Sequence, residues 1–353
     1  MKKLYKDIRF TKGILTLTAG LLIAGCSAED ELGNNSSAQQ LNMIPMVNDL
    51  QKSRANDEDA LHEKTLSKLD FKMFEPESGE RCVNHQNSSP AENQAEVLGK
   101  DNWKKNLNLQ EDHSYNYYAV ANAQADLSKK TLEELQTATQ QDNDIWQPYP
   151  QAKDKKFLMS AKGQYIISKD PIQDIPVELV RAAAKIKLNL SSSVNGYNIT
   201  NVKWKFLNYN TNTSVFAGQT AKPNIESNNE DNTVDKIEAN KCSVTTYSYS
   251  TTWTSQEDAP KIAVKVVFQS KDNKNDTREK ELTIPVRDPK GEKKLERNYI
   301  YTVNADIKRL KDDINIDYDE ELGYLKWAIT KWTTGEDTEV DADKASYLVV
   351  YPT

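Results

Sequence analysis

Histidine and cysteine are scarce in this chain, three of each among 353 residues. His62, His85 and His113 stand in separate regions, and none has a partner at the spacing a zinc site needs. No Gly-x-Ser-x-Gly, phosphate-binding Gly-rich loop or Gly-x-Gly-x-x-Gly occurs, so the short signatures of a hydrolase, an NTPase and a dinucleotide enzyme are missing. Acids are plentiful, but no pair of carboxylates stands apart from the rest. The expectation is a protein that is not an enzyme and takes no cofactor or metal. Basic residues are outnumbered, 46 Lys and Arg against 53 Asp and Glu, for a net charge of -7. No long basic face forms, and nucleic acid is not an expected partner. Long apolar runs are lacking too. The run from Ile14 to Ala24 falls short of the ~20 residues of a spanning helix. One acidic stretch invites a test for calcium. Asp313, Asn315, Asp317 and Asp319 match early ligand positions of an EF-hand loop, but Tyr318 stands where its turn glycine belongs and Tyr324 where its bidentate glutamate belongs. An alternating segment with Ile314, Ile316 and Tyr318 on a buried face accounts for the same residues.

What is present begins with a basic leader (Lys2, Lys3, Lys6, Arg9, Lys12) ahead of that short apolar run, the pattern of a secretory signal over residues 1–25. Its end, Leu22-Ile23-Ala24-Gly25-Cys26, resembles a bacterial lipobox, which implies lipidation at Cys26 and anchoring to outer membrane lipid. The acids Glu29, Asp30 and Glu31 resemble the surface-export signals of Bacteroidetes lipoproteins. Asn34 to Gln40 reads as a polar tether. Cys82 and Cys242, far apart in sequence, are expected as free or buried thiols, although an exported location permits a disulfide.

The remaining chain is long enough for about two domains at 100–200 residues each. Its signal is mostly of period two. Strands are expected at Leu66 to Phe74, with Leu69, Phe71 and Met73 on one face, and at Tyr115 to Ala123, Phe157 to Ser160 and Tyr165 to Ile167. A longer one is expected from Ile175 to Leu190. Further strands follow at Ile199 to Leu207, Cys242 to Tyr249, Ile262 to Phe268, Glu281 to Val286, Tyr299 to Ile307, Tyr324 to Trp332 and Tyr347 to Tyr351. Many short β-branched and aromatic runs between polar turns predict an all-β sandwich architecture. One helix is expected after Ser128 as its cap, over Thr131 to Gln136, and a weaker one near Ala91 to Leu98. The Ser191 to Gly196 cluster suggests a boundary, giving domains over 55–190 and 191–353.

Residues 26–54 make a tether and a first strand. In the segment 41–50, Leu41, Met43, Ile44, Met46, Val47 and Leu50 are apolar, and Pro45 suits an edge strand better than a central one. Ile44 and Met46 fall out of phase with Met43 and Val47, which a bulge at Pro45 would explain. An exposed hinge follows at Arg54-Ala55, flanked by Asp57, Glu58 and Asp59. At the other end, Tyr347, Leu348, Val349, Val350 and Tyr351 form a compact run apolar on both faces, after a polar, acidic stretch from Thr333 to Lys344. Unpaired, it would be an aggregation hazard.

The lipobox, the strand leading to Arg-Ala, Leu69-Asp70-Phe71-Lys72-Met73-Phe74, Tyr118-Ala119-Val120-Ala121-Asn122, Phe157-Leu158-Met159-Ser160, Val177 to Ile186, Arg297 to Val303 and a Trp-containing strand near the C-terminus follow one another in an order that resembles the fimbrillin family of Bacteroidetes, subunits of type V pili. The resemblance spans nearly the whole mature chain and rests on order and spacing, since no single motif is specific. It implies two tandem transthyretin-like β-sandwich domains with one or two short helices. It implies export as an outer membrane lipoprotein, removal of the leader and first strand by an Arg-specific trypsin-like protease between Arg54 and Ala55, and replacement of that strand by residues 347–351 of the next subunit. The product would be a homopolymeric fimbria at the cell surface that supports adhesion, with host or bacterial surface ligands as further partners. The alternative is a lipid-anchored protein that does not polymerise, either a pilus anchor or tip or a glycan- or host-binding module. Trp103, Trp146 and Trp253 are its candidate sugar platforms. A surface hydrolase is a third class, without a catalytic constellation to support it.

Overall fold

The computed structural model describes residues 40–47, 63–98, 109–148, 156–170, 172–219, 221–287, 292–310, 323–331 and 346–347. Eight strands belong to the first half: β1 (Gln40–Val47), β2 (Leu69–Phe74), β3 (Arg81–Asn87), β4 (Glu96–Val97), β5 (Ser114–Ala121), β6 (Thr139–Gln141), β7 (Met159–Ile166) and β8 (Ile172–Arg181). The second half begins with β9 (Ala183–Ser192), β10 (Tyr197–Leu207), β11 (Tyr209–Asn210), β12 (Asn212–Ser214), β13 (Ile225–Glu226), β14 (Asn232–Thr233) and β15 (Lys241–Tyr249). It continues through β16 (Thr251–Thr252), β17 (Lys261–Ser270), β18 (Thr277–Pro285), β19 (Lys294–Leu295), β20 (Tyr299–Ile307), β21 (Gly323–Lys331) and β22 (Ser346–Tyr347). The fold is an all-β sandwich architecture.

The first sheet has the order β3-β2-β5-β7-β8-β1-β4, and it curls at β8. β7 and β8 are paired only at Met159–Arg181 and Ser160–Val180, whereas β8 runs parallel to β1 along all eight residues of β1. The second half stacks the sheet β13-β11-β15-β9-β20-β21-β22 with the sheet β14-β10-β17-β18. Strand alternation is clean where one face is buried: in β8, Gln173, Ile175, Val177, Leu179 and Arg181 point inward, and Ile172, Asp174, Pro176 and Glu178 point out. β2 is covered on both faces, so Asp70 and Lys72 are buried along with Leu69, Phe71 and Met73. Burial lowers the Lys72 pKa, partly offset by the nearby Asp70, and its ammonium donates to Asn84 Oδ1 at 2.6 Å.

Both halves carry the same corner. Tyr115 O–H accepts the Gln110 backbone N–H at 2.9 Å, and Tyr301 O–H accepts that of Glu296 at 2.8 Å. In each, a buried tyrosine near the start of a core strand pins the chain five residues upstream, the arrangement known as a tyrosine corner. Each corner has one residue with left-handed backbone between the pinned position and the tyrosine, Asp112 at φ 59° and Asn298 at φ 63°, and Asn122, after the far end of β5, has φ 61°. Asn122 accepts from Ser67 N and donates to Thr65 O and Phe157 O, tying the lead-in to β2 to the lead-in to β7.

The expected single strand from Ile175 to Leu190 is two strands in two sheets. The chain turns at Ala182, whose N–H goes to Leu158 O, and β9 then pairs with β15 and β20 of the second half. The change of sheet thus falls at Ala182, ahead of the Ser191 to Gly196 cluster. The described residues all belong to one compact unit, and the two halves are stitched by the β6–β12 ladder and by Ser160 Oγ donating to Val215 O at 2.7 Å. The expected helix is present as α1 (Leu132–Gln136), capped by Thr131 and not by Ser128, because Thr131 and Glu134 close a reciprocal capping box. The second expected helix, near Ala91 to Leu98, is a turn leading into β4.

Candidate functional site

The candidate site is β1 and the two strands that hold it. Its inward residues are Leu41, Met43, Pro45 and Val47, with Leu41 and Met43 0% exposed. Ile44 and Met46 lie on the other face and are half-buried. The expected bulge at Pro45 is absent, since the register with β8 runs without a shift from Gln40–Ile172 to Val47–Leu179. Period two holds because the proline itself takes an inward position.

Backbone direction explains why a proline is tolerated there. Leu41 O accepts from Leu98 N at 2.9 Å, and Pro45 O accepts from Asn93 N at 2.8 Å. In a strand the N–H and C=O of one residue point the same way, so the odd residues of β1 face β4 and the even ones face β8. The missing N–H of Pro45 is therefore on the outer side, where only an acceptor is used. Pro176 of β8, beside Ile44, by the same parity directs its missing N–H away from β1. The β1–β8 ladder contains two prolines and loses no bond to either.

The outer edge of β1 is thinly covered. β4 pairs with it only at Asn42–Val97 and Met43–Glu96. Glu96 is in turn held by His85 Nε2 at 2.9 Å and by the Asn87 side-chain amide, so the segment from β3 to β4 straps β1 from outside. On the outward face, Asn42 Nδ2 donates to Asp174 Oδ1 at 2.9 Å and Gln40 Nε2 to Asn42 Oδ1 at 2.8 Å. Removing β1 would uncover Ile175, Val177 and Leu179. Burial of each Leu- or Val-sized side chain contributes about 1.5–3 kcal/mol, so an empty groove would be a strong apolar acceptor for another strand.

Sequence reasoning missed a second feature, at the start of the chain that follows the hinge. Glu63 is 3% exposed. Its Oε1 accepts from Tyr247 O–H and pairs with Lys185 Nζ, both at 2.6 Å, and its carbonyl accepts from Arg181 Nε at 2.7 Å. Nothing in the local sequence around Glu63 signals this, since its partners lie more than a hundred residues away.

Of the expected site residues, Leu41, Met43, Ile44, Met46 and Val47 all lie in β1. Tyr347 lies in β22, paired with Tyr324 of β21 in the second half, so the two ends belong to different sheets. Cys26, Leu50, Arg54, Ala55, Leu348, Val349, Val350 and Tyr351 lie outside the described residues, as do the calcium-like stretch, His62 and Trp103. Trp253 is 8% exposed and part of the core, and Trp146 packs edge-on against Trp204 at 6.2 Å, so neither offers an open platform for a sugar. Cys82 and Cys242 are free thiols. Burial pushes Cys242 up to about 11, and burial and then Glu75 push Cys82 up. Among the described residues no cluster of His, Cys, Asp and Glu could hold a metal ion.

No family model and no curated protein matches the sequence. Solved structures do match the fold. A protein described as a candidate cell adhesion protein of Parabacteroides distasonis superposes with a TM-score of 0.57 at 16% identity, covering 85% of this chain and 98% of that one. The fimbrilin FimA of Porphyromonas gingivalis gives 0.56 at 12% identity, covering 84% and 98%. The tip fimbrial protein Mfa3 of the same organism, C-terminally truncated, gives 0.51 at 14% identity, covering 83% and 99%. At these identities the likeness establishes a shared fold.

Proposed function

We propose that this chain is a structural subunit of a cell-surface pilus of the fimbrillin type, exported as a lipoprotein through Cys26. Cleavage between Arg54 and Ala55 by an Arg-specific protease frees β1, and the C-terminal segment 347–351 of the next subunit takes its place by strand addition. The observation that carries this reading is the construction of β1. It is the first described strand, it contributes Leu41, Met43 and Val47 to the core, and its outer edge is held only by the short β4 and by single bonds from Asn93 N and Leu98 N beside it, among the described residues. Such a strand can leave without breaking a chain crossover, and its groove then demands an occupant. The shared fold with a fimbrilin and a tip fimbrial protein supports the same reading. The adhesion role and the surface location come with it, and no catalytic role is assigned.

The test uses the soluble precursor that begins after Cys26, treated briefly with an Arg-specific protease and run unboiled on a denaturing gel. A new N-terminus at Ala55 and a ladder of oligomers are expected. Both should be lost in Arg54→Ala, and the ladder alone in a chain lacking residues 347–353. Clean cleavage that leaves only monomer would mean a subunit that does not polymerise.

A further inference from the structure

β1 and the C-terminal segment share a pattern that fixes how one replaces the other. β1 reads Leu41-Asn42-Met43-Ile44-Pro45, and the C-terminal segment reads Leu348-Val349-Val350-Tyr351-Pro352. Each is a leucine, an aliphatic residue and a proline at alternate positions. We infer that the incoming strand runs parallel to β8 with Leu348 in the place of Leu41, Val350 in that of Met43 and Pro352 in that of Pro45. This rests on the strand-exchange reading above and adds its direction and register.

The prolines limit the choice first. In the groove, alternate positions face β8 and β4 in turn, and only those facing β4 do without an N–H toward β8. Asn93 N donates to the carbonyl of residue 45, which a proline supplies as well as any residue. A shift of one residue turns the missing N–H of Pro352 toward β8 and breaks the ladder. It also sends Tyr347 and Tyr351 into the positions of Leu41 and Pro45, where the lining is fully buried and extra volume costs stability. A shift of two that brings Ser346 to the Leu41 position buries a hydroxyl at a site 0% exposed. A shift of two the other way moves Leu348 out of the four inward positions. The remaining register places leucine on leucine, valine on methionine and proline on proline.

The outward face then changes character. Val349 stands at the Asn42 position and Tyr351 at that of Ile44. The bond from Asn42 to Asp174 is lost, but Asp174 is exposed and water takes the place of the amide. In the precursor β22 holds Tyr347 against Tyr324, and that two-residue pairing must open for the strand to leave.

Cysteine pairs read the register directly. All variants begin after Cys26 and carry Cys82→Ser and Cys242→Ser. Each adds Asp174→Cys together with Tyr347→Cys, Val349→Cys or Tyr351→Cys, and is cleaved, polymerised and oxidised. Neighbouring strands lie about 4.8 Å apart, within the Cα separation of about 4.4–6.8 Å that a disulfide spans. A position two residues along is about 8 Å away. Val349→Cys should therefore link subunits into a reduction-sensitive ladder several-fold stronger than the other two. A ladder dominated by Tyr347→Cys or Tyr351→Cys, or polymer without any link, would overturn the register and leave strand exchange standing. Failure of the cysteine-free parent to polymerise would remove the exchange reading and the register with it.

Discussion

Glu63 shows at the scale of one residue how the core tolerates charge. Its carboxylate sits beside Lys185 with both side chains 4% exposed and accepts from Tyr247 O–H, while Arg181 donates to the Glu63 backbone carbonyl. Burying two charges is costly, and the pair holds only because its hydrogen bonds are satisfied. Position gives the cluster a role. It lies just downstream of Arg54 and joins the chain there to the end of β8 and the start of β9, where the sheets change. On the proposed cleavage at Arg54, Glu63 is the residue that would hold the new N-terminal segment to the core. Glu63→Ala should destabilise the precursor by about 3–5 kcal/mol, the usual cost of removing one partner from a buried pair. Equilibrium urea unfolding measures this. Glu63→Leu combined with Lys185→Met should recover most of the loss. A single variant as stable as the parent would show that the pair contributes nothing.

At the scale of the element, β1 is part of the precursor core but, on this account, absent from the polymer. Met43→Ala should therefore lower precursor stability by about 2–5 kcal/mol, as large-to-small changes do at fully buried positions. It should leave the thermal stability of polymer formed after cleavage unchanged. Equal destabilisation of both would mean that β1 stays. The long strands were legible because one buried face imposes alternation, as in β8 and β17. The two-residue strands were not, because pairs such as Glu96–Val97 carry no period and exist only through the neighbours they bridge. The Ile175 to Leu190 run misled for a different reason. Ala182, where the chain changes sheets, has neither glycine nor proline to mark it, and the apolar pattern continues across the break. Pro45 was legible as an edge residue, but a bulge was expected where the proline simply sits in phase. The Ala91 to Leu98 stretch has helix-forming residues, yet its backbone groups are spent on β1 through Asn93 N and Leu98 N.

At the scale of the whole molecule, the two halves share one buried core and a ladder between β6 and β12. On the proposed exchange, the strand that leaves, β1, lies in the first half, and the strand that is given away begins at β22 in the second. Heterologous contacts of that kind build an open filament wherever the rotation between successive copies does not close a ring. The most direct test of this account is the mass of the chains inside the polymer. The ladder formed after Arg-specific cleavage is isolated, denatured and weighed by intact mass spectrometry. The account predicts a single species beginning at Ala55, with the fragment that contains β1 left in the supernatant. Recovery of that fragment in equal amount within the polymer would show that β1 never leaves its groove, and would contradict strand exchange.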